Sequence, residues 1–308
     1  MKLAPIALFV YNRPWHTRQT IKELQKNGLA GESDLFIFSD APNKPEVTKA
    51  VQEVRDYIKT ISGFRSVKII ERAENFGLSK SIIDGVTRLC SEHGRIIVIE
   101  DDLLTSPYFL KYMNDALDLY ELEERVISIH GYMYPVDAIL PETFFLRGAS
   151  CWGWATWKRG WNLFEPDGQK LLMQIKKLRV ENEFNYNGSY DLLGMLRSQV
   201  EGKIDSWAIR WYASAFLANK LTLYPGKSLV QNIGFDGSGK NCGTTDVFFT
   251  EFADHPVALG RQDVYENLNA QAAISQYFRT MNQPFFWRAL RIGKKWWKKF
   301  IVSTHHPP

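Results

Sequence analysis

The stretch GRIIVIEDDLLTSP, residues 94–107, decides the fold. Four apolar residues at 96–99 run directly into three consecutive acids, Glu100, Asp101 and Asp102. An apolar run this short, ended by polar residues, predicts a buried β-strand. Neighbouring like charges repel one another, so folding alone gives no reason to place three acids at the end of that strand. We therefore interpret the triplet as part of a functional site.

The first hundred residues alternate strands of this kind with amphipathic helices. Strands are predicted at IALFVYN (6–12), DLFIFSD (34–40), SVKIIER (66–72) and RIIVIEDD (95–102), and helices at HTRQTIKELQKNG (16–28), EVTKAVQEVRDYIKTI (46–61) and SKSIIDGVTRLCSEH (79–93). Such alternation predicts an α/β fold with a doubly wound, mostly parallel central sheet flanked by helices.

Three of the predicted strands end in polar side chains. Asn12 and Arg13 follow the first strand, Asp40 ends the second, and the acid triplet ends the fourth. Ligands of parallel sheets bind beyond the carboxyl ends of the strands, so these side chains are expected to share one site. A solvated acidic turn or helix N-cap is the alternative, but Ser106 and Pro107 begin the next predicted helix and leave the acids ahead of it.

Neither of the common phosphate-binding loops occurs in the sequence. There is no GxGxxG after the first strand and no GxxxxGK[ST] anywhere, which argues against a dinucleotide oxidoreductase and a P-loop NTPase. A bound nucleotide diphosphate would then need its charge neutralised by a divalent cation. Mg2+ and Mn2+ suit this role because they take a few carboxylates together with substrate phosphates. The histidines show no spacing typical of metal ligands, so zinc is not expected.

The net charge of +4 is unevenly distributed along the chain. Residues 288–299, RALRIGKKWWKK, hold six Lys or Arg and no acid, and subtracting this +6 from +4 leaves the rest near −2. No basic groove for nucleic acid is therefore expected in the body of the protein. The three cysteines lie far apart without CxxC pairing, which predicts reduced thiols in the cytosol. The sequence contains no run of eighteen apolar residues, so no membrane-spanning helix is expected.

Segment 285–301 interleaves aromatic residues with these cations. On a helix, Phe286, Leu290, Trp297 and Ile301 share one face flanked by lysines, which is typical of an amphipathic helix on an anionic membrane surface. The alternative is a C-terminal helix packed on the domain with solvated lysines. The first interpretation predicts a cytoplasmic protein held peripherally on the inner face of the cytoplasmic membrane.

Seven stretches of the sequence together resemble the GT-A glycosyltransferases. They are PIALFVYNRP, FSDAP, ENFGLSKSI, IVIEDDL with SPYFL and YMN after it, WGWATW, DSWAIRW and SLVQNIGFDGSG, which extend over about residues 4–240. In them the chain is similar to bacterial sugar transferases akin to the eukaryotic N-acetylglucosaminyltransferase I-like family. The resemblance implies a metal-dependent, inverting enzyme with a nucleotide-sugar donor, most simply a UDP-sugar.

The same resemblance gives roles to the strand-end residues. Asp102 would bind the metal cofactor, Mn2+ or Mg2+. Glu100 and Asp101 would contact the sugar and ribose of the donor. Arg13 and Asp40 match positions that hold the uridine end.

The turn ENFGLSKSI offers further donor contacts. Asn75, Gly77 and Lys80 lie where a strand gives way to a helix, and backbone N–H groups at a helix start can face an anion. A simple helix start explains the turn nearly as well. Asn12, at the end of the first strand, is assigned to donor binding with Asn75 and Lys80.

The catalytic base is expected from the acceptor half. Asp205 in GKIDSWAIRW aligns with an adjacent acidic pair of the relatives, and Ser206 stands where the second acid of that pair would be. Asp236 in GFDGSG is the rival catalytic candidate, with an Asx-type turn among glycines as its structural alternative. The resemblance also predicts Thr-His where this chain has Lys240-Asn241, so no histidine ligand is carried over, although Lys240 could approach a phosphate.

The stretch CWGWATWKRGW places four tryptophans in a short segment, which suits an acceptor cleft for sugars. We expect Trp152 and Trp154 to lie near the site, the other two to be structural, and Gly153 to permit a tight turn. Trp207, two residues after Asp205, is assigned to the acceptor as well. The alternative is that most of these rings belong to the core, since tryptophan is usually largely buried.

Three regions are expected along the chain. Residues 1–110 form the nucleotide-sugar-binding half of a single GT-A domain, 111–245 its acceptor-binding half, and 246–308 a basic helical extension. The expected reaction transfers a hexosyl or N-acetylhexosaminyl group to a glycan or polyprenyl-linked acceptor in bacterial surface polysaccharide synthesis. A sugar-phosphate nucleotidyltransferase is one alternative, although YNRPWHT lacks the glycine that its loop needs. A non-catalytic carbohydrate-binding protein with a degenerate site is the other.

Overall fold

The computed structural model describes residues 3–237 and 244–281. The strands are β1 (Ile6–Val10), β2 (Asp34–Ser39), β3 (Ser66–Glu71), β4 (Arg95–Glu100), β5 (Leu103–Thr105), β6 (Val126–His130), β7 (Thr143–Arg147), β8 (Trp154–Trp157), β9 (Leu221–Pro225) and β10 (Val230–Asn232). The helices are α1 (Pro14–Gln25), α2 (Thr48–Ile58), α3 (Gly77–His93), α4 (Phe109–Leu119), α5 (Lys158–Trp161), α6 (Gly168–Leu178), α7 (Glu181–Phe184), α8 (Leu192–Val200), α9 (Trp207–Leu217) and α10 (Leu268–Met281).

Eight strands form one sheet in the order β3-β2-β1-β4-β8-β6-β9-β7. The pairs β3/β2, β2/β1, β1/β4 and β6/β9 are parallel. Only β8, between β4 and β6, and β7, at the edge, run against the others. The predicted mostly parallel sheet is therefore confirmed, and each strand and helix predicted in the first hundred residues is present.

Helices cover both faces of this sheet. Along β1 the buried side chains alternate, with Leu8 packing into one core cluster and Phe9 into another. The Leu8 face is covered by α1, α2 and α4, and the Phe9 face by α3, α5 and α9. This two-sided cover confirms the doubly wound arrangement.

A third core cluster lies beside the sheet. It packs side chains of α6 to α10 against β7 and β9, with Phe184, Tyr212 and Phe278 among its buried members. This cluster forms the wall that faces the carboxyl ends of β1 and β4 across a cavity.

The chain turns quickly where β1 ends. Three residues separate Val10 from Pro14, and Pro14 occupies the first turn of α1. Proline is suited to that position because it lacks an N–H that the first helical turn could not use and its φ is already helical. The short turn fixes Arg13 at the edge of the sheet.

The region after the acid triplet differs from the prediction. A short strand, β5, follows Asp102 directly and pairs antiparallel with β10, so that Leu103 faces Asn232. The helix α4 begins at Phe109, later than predicted. A strand of three residues leaves no readable pattern in the sequence, because the partner that stabilises it lies more than a hundred residues away.

Within residues 3–237 and 244–281, no helix combines the length and the apolar character needed to cross a membrane. The predicted amphipathic segment 285–301 and the pair Lys240-Asn241 lie outside the described residues.

Candidate functional site

A cavity of about 810 Å³ opens at the carboxyl ends of β1, β2 and β4. The predicted site residues that line it are Asn12, Arg13, Asp40, Asn75, Glu100, Asp101, Asp102, Trp152, Asp205 and Trp207. The topology therefore brings together side chains that the sequence places far apart. We call the part of the cavity formed by Arg13, Asp40, Glu100, Asp101 and Asp102 the acidic end.

Burial changes the ionisation of the acid triplet. Desolvation, reinforced by the charges of Asp102 and Asp101, raises the pKa of Glu100 well above its usual value. Desolvation and the neighbouring Asp102 raise the pKa of Asp101 to about 7. Protons on these carboxyl groups remove part of the repulsion that the sequence implies. Asp102 is more exposed than Asp101, and its side chain can face a bound cation.

A cationic side chain lies between two acids at this end. Arg13 Nη1 lies 2.8 Å from Asp102 Oδ2, and Arg13 Nη2 lies 3.6 Å from Asp236 Oδ1. His16 Nε2 lies 3.0 Å from the other oxygen of Asp236. Asp236 does not line the cavity itself, but Arg13 connects it to Asp102.

The sequence reasoning missed His16. This residue stands on the first turn of α1, is buried, and contacts the ring of Trp15 edge-on. Desolvation and the nearby Arg13 lower its pKa, which favours a neutral imidazole against Asp236. The spacing of Arg13 and His16 on one helix start was the available signal, since residues three apart share a helix face.

The residues beside Asp102 suit a divalent cation that substrate phosphates complete. A Cβ placed on Gly234 would lie 2.2 Å from Asp102 Oδ2 and 3.1 Å from Asn232 Oδ1, so only a glycine lets two oxygen donors lie this close to the backbone of residue 234. Hard oxygen ligands of this type suit Mg2+ and Mn2+. In the described part of the chain, no three His, Cys, Asp or Glu residues are grouped to hold a metal by themselves. Asp102 would therefore be the principal protein ligand.

Asp40 organises the start of α3. Its carboxylate accepts hydrogen bonds from the backbone N–H of Phe76 and Gly77 at 2.9 Å each, and from Asn75 Nδ2 at 3.1 Å. The N–H groups expected to face a ligand anion are thus bound to Asp40, and the helix-start interpretation of this turn is correct. Lys80 is exposed, does not line the cavity, and lies 3.9 Å from the Phe76 ring, so its assignment to the donor is corrected.

Asp205 lines the cavity just before α9, close to Gly77 at the start of α3. Its side chain is 60% exposed, Arg210 Nη2 lies 3.9 Å from Oδ1, and a Cβ on Gly77 would lie 3.8 Å from Oδ2. Ser206 is the N-cap of α9 and accepts a hydrogen bond from the N–H of Ile209 at 3.3 Å. Serine thus has a structural role in this chain, and Asp205 is the water-accessible carboxylate at this point.

The tryptophans divide differently from the prediction. Trp152 is half-buried and lines the cavity, as expected. Trp154 is fully buried and packs against the rings of Trp161, Trp207 and Trp211, so its predicted contact with the acceptor is wrong. Side chains two positions apart share a face only where the chain is an extended strand. Because β8 begins at Trp154 and Trp152 lies before a turn, the two rings point in different directions.

The turn between Trp152 and Trp154 depends on glycine. Gly153 has a φ of +62°, and a Cβ there would lie 2.7 Å from Val230 Cγ2. The tight turn predicted for Gly153 is present, but the residue does not line the cavity. Trp157 and Trp161 are buried, in agreement with their predicted structural role.

The wall opposite the acidic end is aromatic and was not predicted. We call it the aromatic compartment; its residues are Tyr134, Trp152, Tyr186, Tyr190, Leu192, Met195, Tyr212, Tyr224, Phe248 and Phe278. They come from segments separated by long stretches of chain, with Phe278 on α10 as the last. Apart from Trp152 and the four residues within 186–195, they are scattered along the chain, and no motif of the sequence marked them.

No family model matches this chain, and no curated protein matches it. Among solved structures it is similar to the mannosyltransferase PcManGT from Pyrobaculum calidifontis in complex with GDP-Man and Mn2+, at 12% identity over 42% of this chain and 35% of that chain, with a TM-score of 0.33. It is also similar to S. aureus TarS, at 15% identity over 48% of this chain and 25% of that chain, with a TM-score of 0.30. The chain is similar to S. aureus TarS 1–349 as well, at 12% identity over 58% of this chain and 50% of that chain, with a TM-score of 0.34.

The match spans a quarter to a half of the length of those three chains. Likeness at this level carries no argument about activity. The function is therefore argued from the residues of the site.

Proposed function

We propose that the protein is a metal-dependent, inverting glycosyltransferase with a nucleotide-sugar donor. The observation that carries the proposal is the position of Arg13 between Asp102 and Asp236, at the carboxyl edge of a parallel sheet and in one cavity with Asp205. A cavity of this kind offers charged groups for a nucleotide diphosphate at one end and apolar rings for a second substrate at the other.

The donor is assigned to the acidic end. Arg13 offers a guanidinium for phosphate oxygens, and a planar guanidinium suits them because it donates two parallel hydrogen bonds. Glu100 and Asp101, which line this end of the cavity, would accept hydrogen bonds from hydroxyl groups of the sugar and ribose. The resemblance of the sequence to GT-A enzymes favours a UDP-sugar, with Asn12, Asp40 and Asn75 near the nucleoside.

A divalent cation held by Asp102 would neutralise charge on the leaving nucleoside diphosphate. Arg13 already stands beside that carboxylate and orients it. Gly234 lies directly against the same carboxylate, and a larger residue at this position would collide with Asp102 Oδ2.

The transfer step requires a base on the acceptor side. The acceptor hydroxyl oxygen forms a bond to the anomeric carbon while the bond from that carbon to the nucleoside diphosphate oxygen breaks, and the hydroxyl proton passes to a carboxylate. Asp205 suits this role because it is water-exposed and faces the cavity. Attack from the face opposite the leaving group inverts the anomeric configuration. Asp236 is the weaker candidate, since Arg13 and His16 already contact its oxygens.

The transferred group, the acceptor, the division of the chain and the membrane association are proposed from the sequence. The transferred group is a hexosyl or N-acetylhexosaminyl unit, and the acceptor is a glycan or a polyprenyl-linked glycan of a bacterial surface polysaccharide. Residues 1–110 bind the donor, 111–245 the acceptor, and 246–308 form an extension whose segment 285–301 docks on an anionic membrane. These features would place the enzyme on the inner face of the cytoplasmic membrane.

Calorimetry with UDP tests the proposal. With Mn2+ or Mg2+ present we expect binding of UDP that Asp102→Asn weakens at least tenfold. Asp115→Asn is the matched control, because Asp115 is partly exposed on α4 and forms an ion pair with Lys111 one turn away. A screen of nucleotide-sugars for metal-dependent donor hydrolysis then identifies the donor. If no nucleoside diphosphate gives heat of binding, with or without metal, the transferase proposal is wrong. A non-catalytic carbohydrate-binding protein would then be favoured.

A further inference from the structure

The charged residues of the cavity are confined to one part of it. Among its described lining residues the cations are Arg13 and Lys44, and both belong to the side formed by β1 and β2. The aromatic compartment contributes no Lys, Arg, His, Asp or Glu to the described lining. Asp205 lines the cavity at the start of α9, beside Trp207.

The rings of the aromatic compartment form a connected wall. Phe278 is its hub, with ring centroids 4.5 Å from Tyr190 in a stacked arrangement, 5.0 Å from Tyr134 and 5.3 Å from Tyr186. Aromatic pairs at these separations hold one another in place. The wall is therefore preorganised, with Tyr190 and Tyr134 only half-buried at its cavity face.

A second ring group connects this wall to the acidic end. Trp152 lies 5.2 Å from the Phe248 ring and 5.5 Å from the Phe235 ring. Phe235 follows Gly234, the residue that packs against the Asp102 carboxylate. A molecule lying on the rings can thus reach the point where the donor sugar is assigned.

The tyrosine hydroxyls of the compartment are neutral donors and acceptors. Desolvation raises the pKa of Tyr134, Tyr212 and Tyr224 well above its usual value, so these hydroxyls keep their protons at neutral pH. An anion entering here would lose its hydration, and no Lys, Arg or His among the described lining residues of the compartment would replace that hydration. A wall of rings with neutral hydroxyls instead suits a ligand with apolar faces and hydroxyl edges.

We propose that the aromatic compartment binds an uncharged pyranose residue of the acceptor and selects it against residues that carry a carboxylate or a phosphate. This inference rests on the proposed transferase function. One apolar face of the sugar ring lies on Tyr190 and Trp152, and its hydroxyls face the tyrosine hydroxyls and Ser150, which also lines the cavity. An isoprenoid chain is the less suitable occupant, because it has no polar groups that could form hydrogen bonds with the tyrosine hydroxyls and Ser150.

A matched sugar series tests the proposal. Methyl glucoside, methyl galactoside, methyl mannoside and methyl N-acetylglucosaminide are the neutral probes, with methyl glucuronide and glucose 6-phosphate as the charged counterparts. Binding is measured by saturation-transfer NMR on the full chain with UDP and Mn2+ present. We expect at least one neutral probe to bind, and both charged counterparts to bind at least tenfold more weakly than it.

Two variants locate the binding. Tyr190→Ala should weaken binding of the neutral probe at least fivefold. Tyr265→Ala should leave that binding unchanged, because Tyr265 is 63% exposed and does not line the cavity. Tyr190→Phe keeps the ring and should retain most of the binding, which separates loss of stacking from loss of folding. UDP affinity, measured in the same samples, reports on the donor end independently.

The possible outcomes separate the two proposals. Equal binding of charged and neutral probes, indifference to Tyr190→Ala, or displacement of the sugar by farnesol would each overturn the inference. If UDP binds and no neutral probe does, the inference fails while the transferase proposal stands. If a neutral probe binds in the expected way and no nucleotide does, the transferase proposal fails and a carbohydrate-binding protein remains.

Discussion

Arg13 and Asp102, which lie 89 positions apart in the chain, form an ion pair with Nη1 2.8 Å from Oδ2. The pair exists because β1 and β4 are adjacent parallel strands, with Ile6 opposite Ile97, and both strands end at the same edge of the sheet. The guanidinium also approaches Asp236, so one cation holds two acids in a defined arrangement. This relationship supports the proposal that the acidic end is a binding site instead of a merely repulsive cluster.

Replacing Arg13 by Gln should weaken UDP binding at least tenfold, or about 1.4 kcal/mol. The guanidinium is a candidate phosphate contact, and its loss also leaves Asp102 and Asp236 without the cation between them. Isothermal calorimetry gives the dissociation constants. Arg88→Gln is the control, because Arg88 is an exposed arginine that pairs with Glu92 within α3. Unchanged UDP affinity in Arg13→Gln would show that Arg13 only spaces the acids.

Gly234→Ala should impair metal-dependent nucleotide binding more than it impairs folding. The added Cβ would lie 2.2 Å from Asp102 Oδ2, and a carboxylate at the end of a side chain can rotate away at modest cost. We expect the enhancement of UDP binding by Mn2+ to fall at least fivefold while Tm changes by a few degrees. Gly31→Ala, where nothing lies within 4 Å of the new Cβ, serves as the comparison. Full retention of the Mn2+ effect would contradict the role of Asp102 as its ligand.

Asp205→Asn should lower kcat by a factor of about 10² to 10⁴, the usual contribution of a general base. UDP affinity should change less than twofold, since Asp205 is not among the residues assigned to the donor. Asp236→Asn should weaken UDP binding as well, because Asp236 contacts Arg13 and His16. Steady-state kinetics and calorimetry on both variants decide between them. The reverse pattern would identify Asp236 as the base.

His130 should make the protein sensitive to acid. It is fully buried on β6 between the rings of Tyr132 and Tyr224, and both of its ring nitrogens lack a hydrogen-bond partner among the described residues. Desolvation lowers its pKa from 6.5 to about 3. Between pH 6.5 and pH 3 the unfolded chain therefore binds more protons at this residue than the folded protein does. The contribution of neutral His130 to the free energy of unfolding is complete above pH 6.5 and is lost as the pH falls toward 3.

His130→Phe should remove this dependence while keeping an aromatic ring in place. Between pH 7.5 and 5.0 the free energy of unfolding of the original protein should fall by about 2 kcal/mol more than that of the variant. Urea unfolding at the two pH values measures the difference. His255→Gln should not reproduce the effect. Asp254 raises the pKa of the exposed His255, so protonation of His255 favours the folded protein, whereas protonation of His130 favours the unfolded chain. Parallel pH profiles of the original protein and His130→Phe would contradict the prediction.

The local pattern of the first hundred residues was sufficient to predict the elements that hold the acidic end. Apolar runs such as Ile96–Ile99 are too short for helices and too apolar for surface strands, so their assignment depends on nearest neighbours alone. The convergence of Arg13, Asp40 and Asp102 then followed from the general geometry of parallel sheets. These side chains needed no knowledge of long-range packing.

The acceptor side could not be predicted in the same way. Trp152 and Trp154 are equivalent in the sequence, yet one lines the cavity and the other is buried in a tryptophan cluster. Their separation depends on the positive φ of Gly153 and on where β8 begins. Likewise Tyr190 and Phe278 meet only because α10 packs against the region before α8.

The sequence by itself determined the α/β architecture and the triplet Glu100-Asp101-Asp102 as its ligand edge, because strand periodicity and strand ends are local properties. The tertiary structure decided that Asp102 pairs with Arg13, that Asp40 binds the start of α3, and that tyrosines form the opposite wall. Those contacts join residues far apart in the chain, and they depend on how helices of different segments pack over the sheet. The repulsion that the sequence predicts within the acid triplet is reduced by protonation and by the charge of Arg13, and both effects arise only from burial in the folded protein.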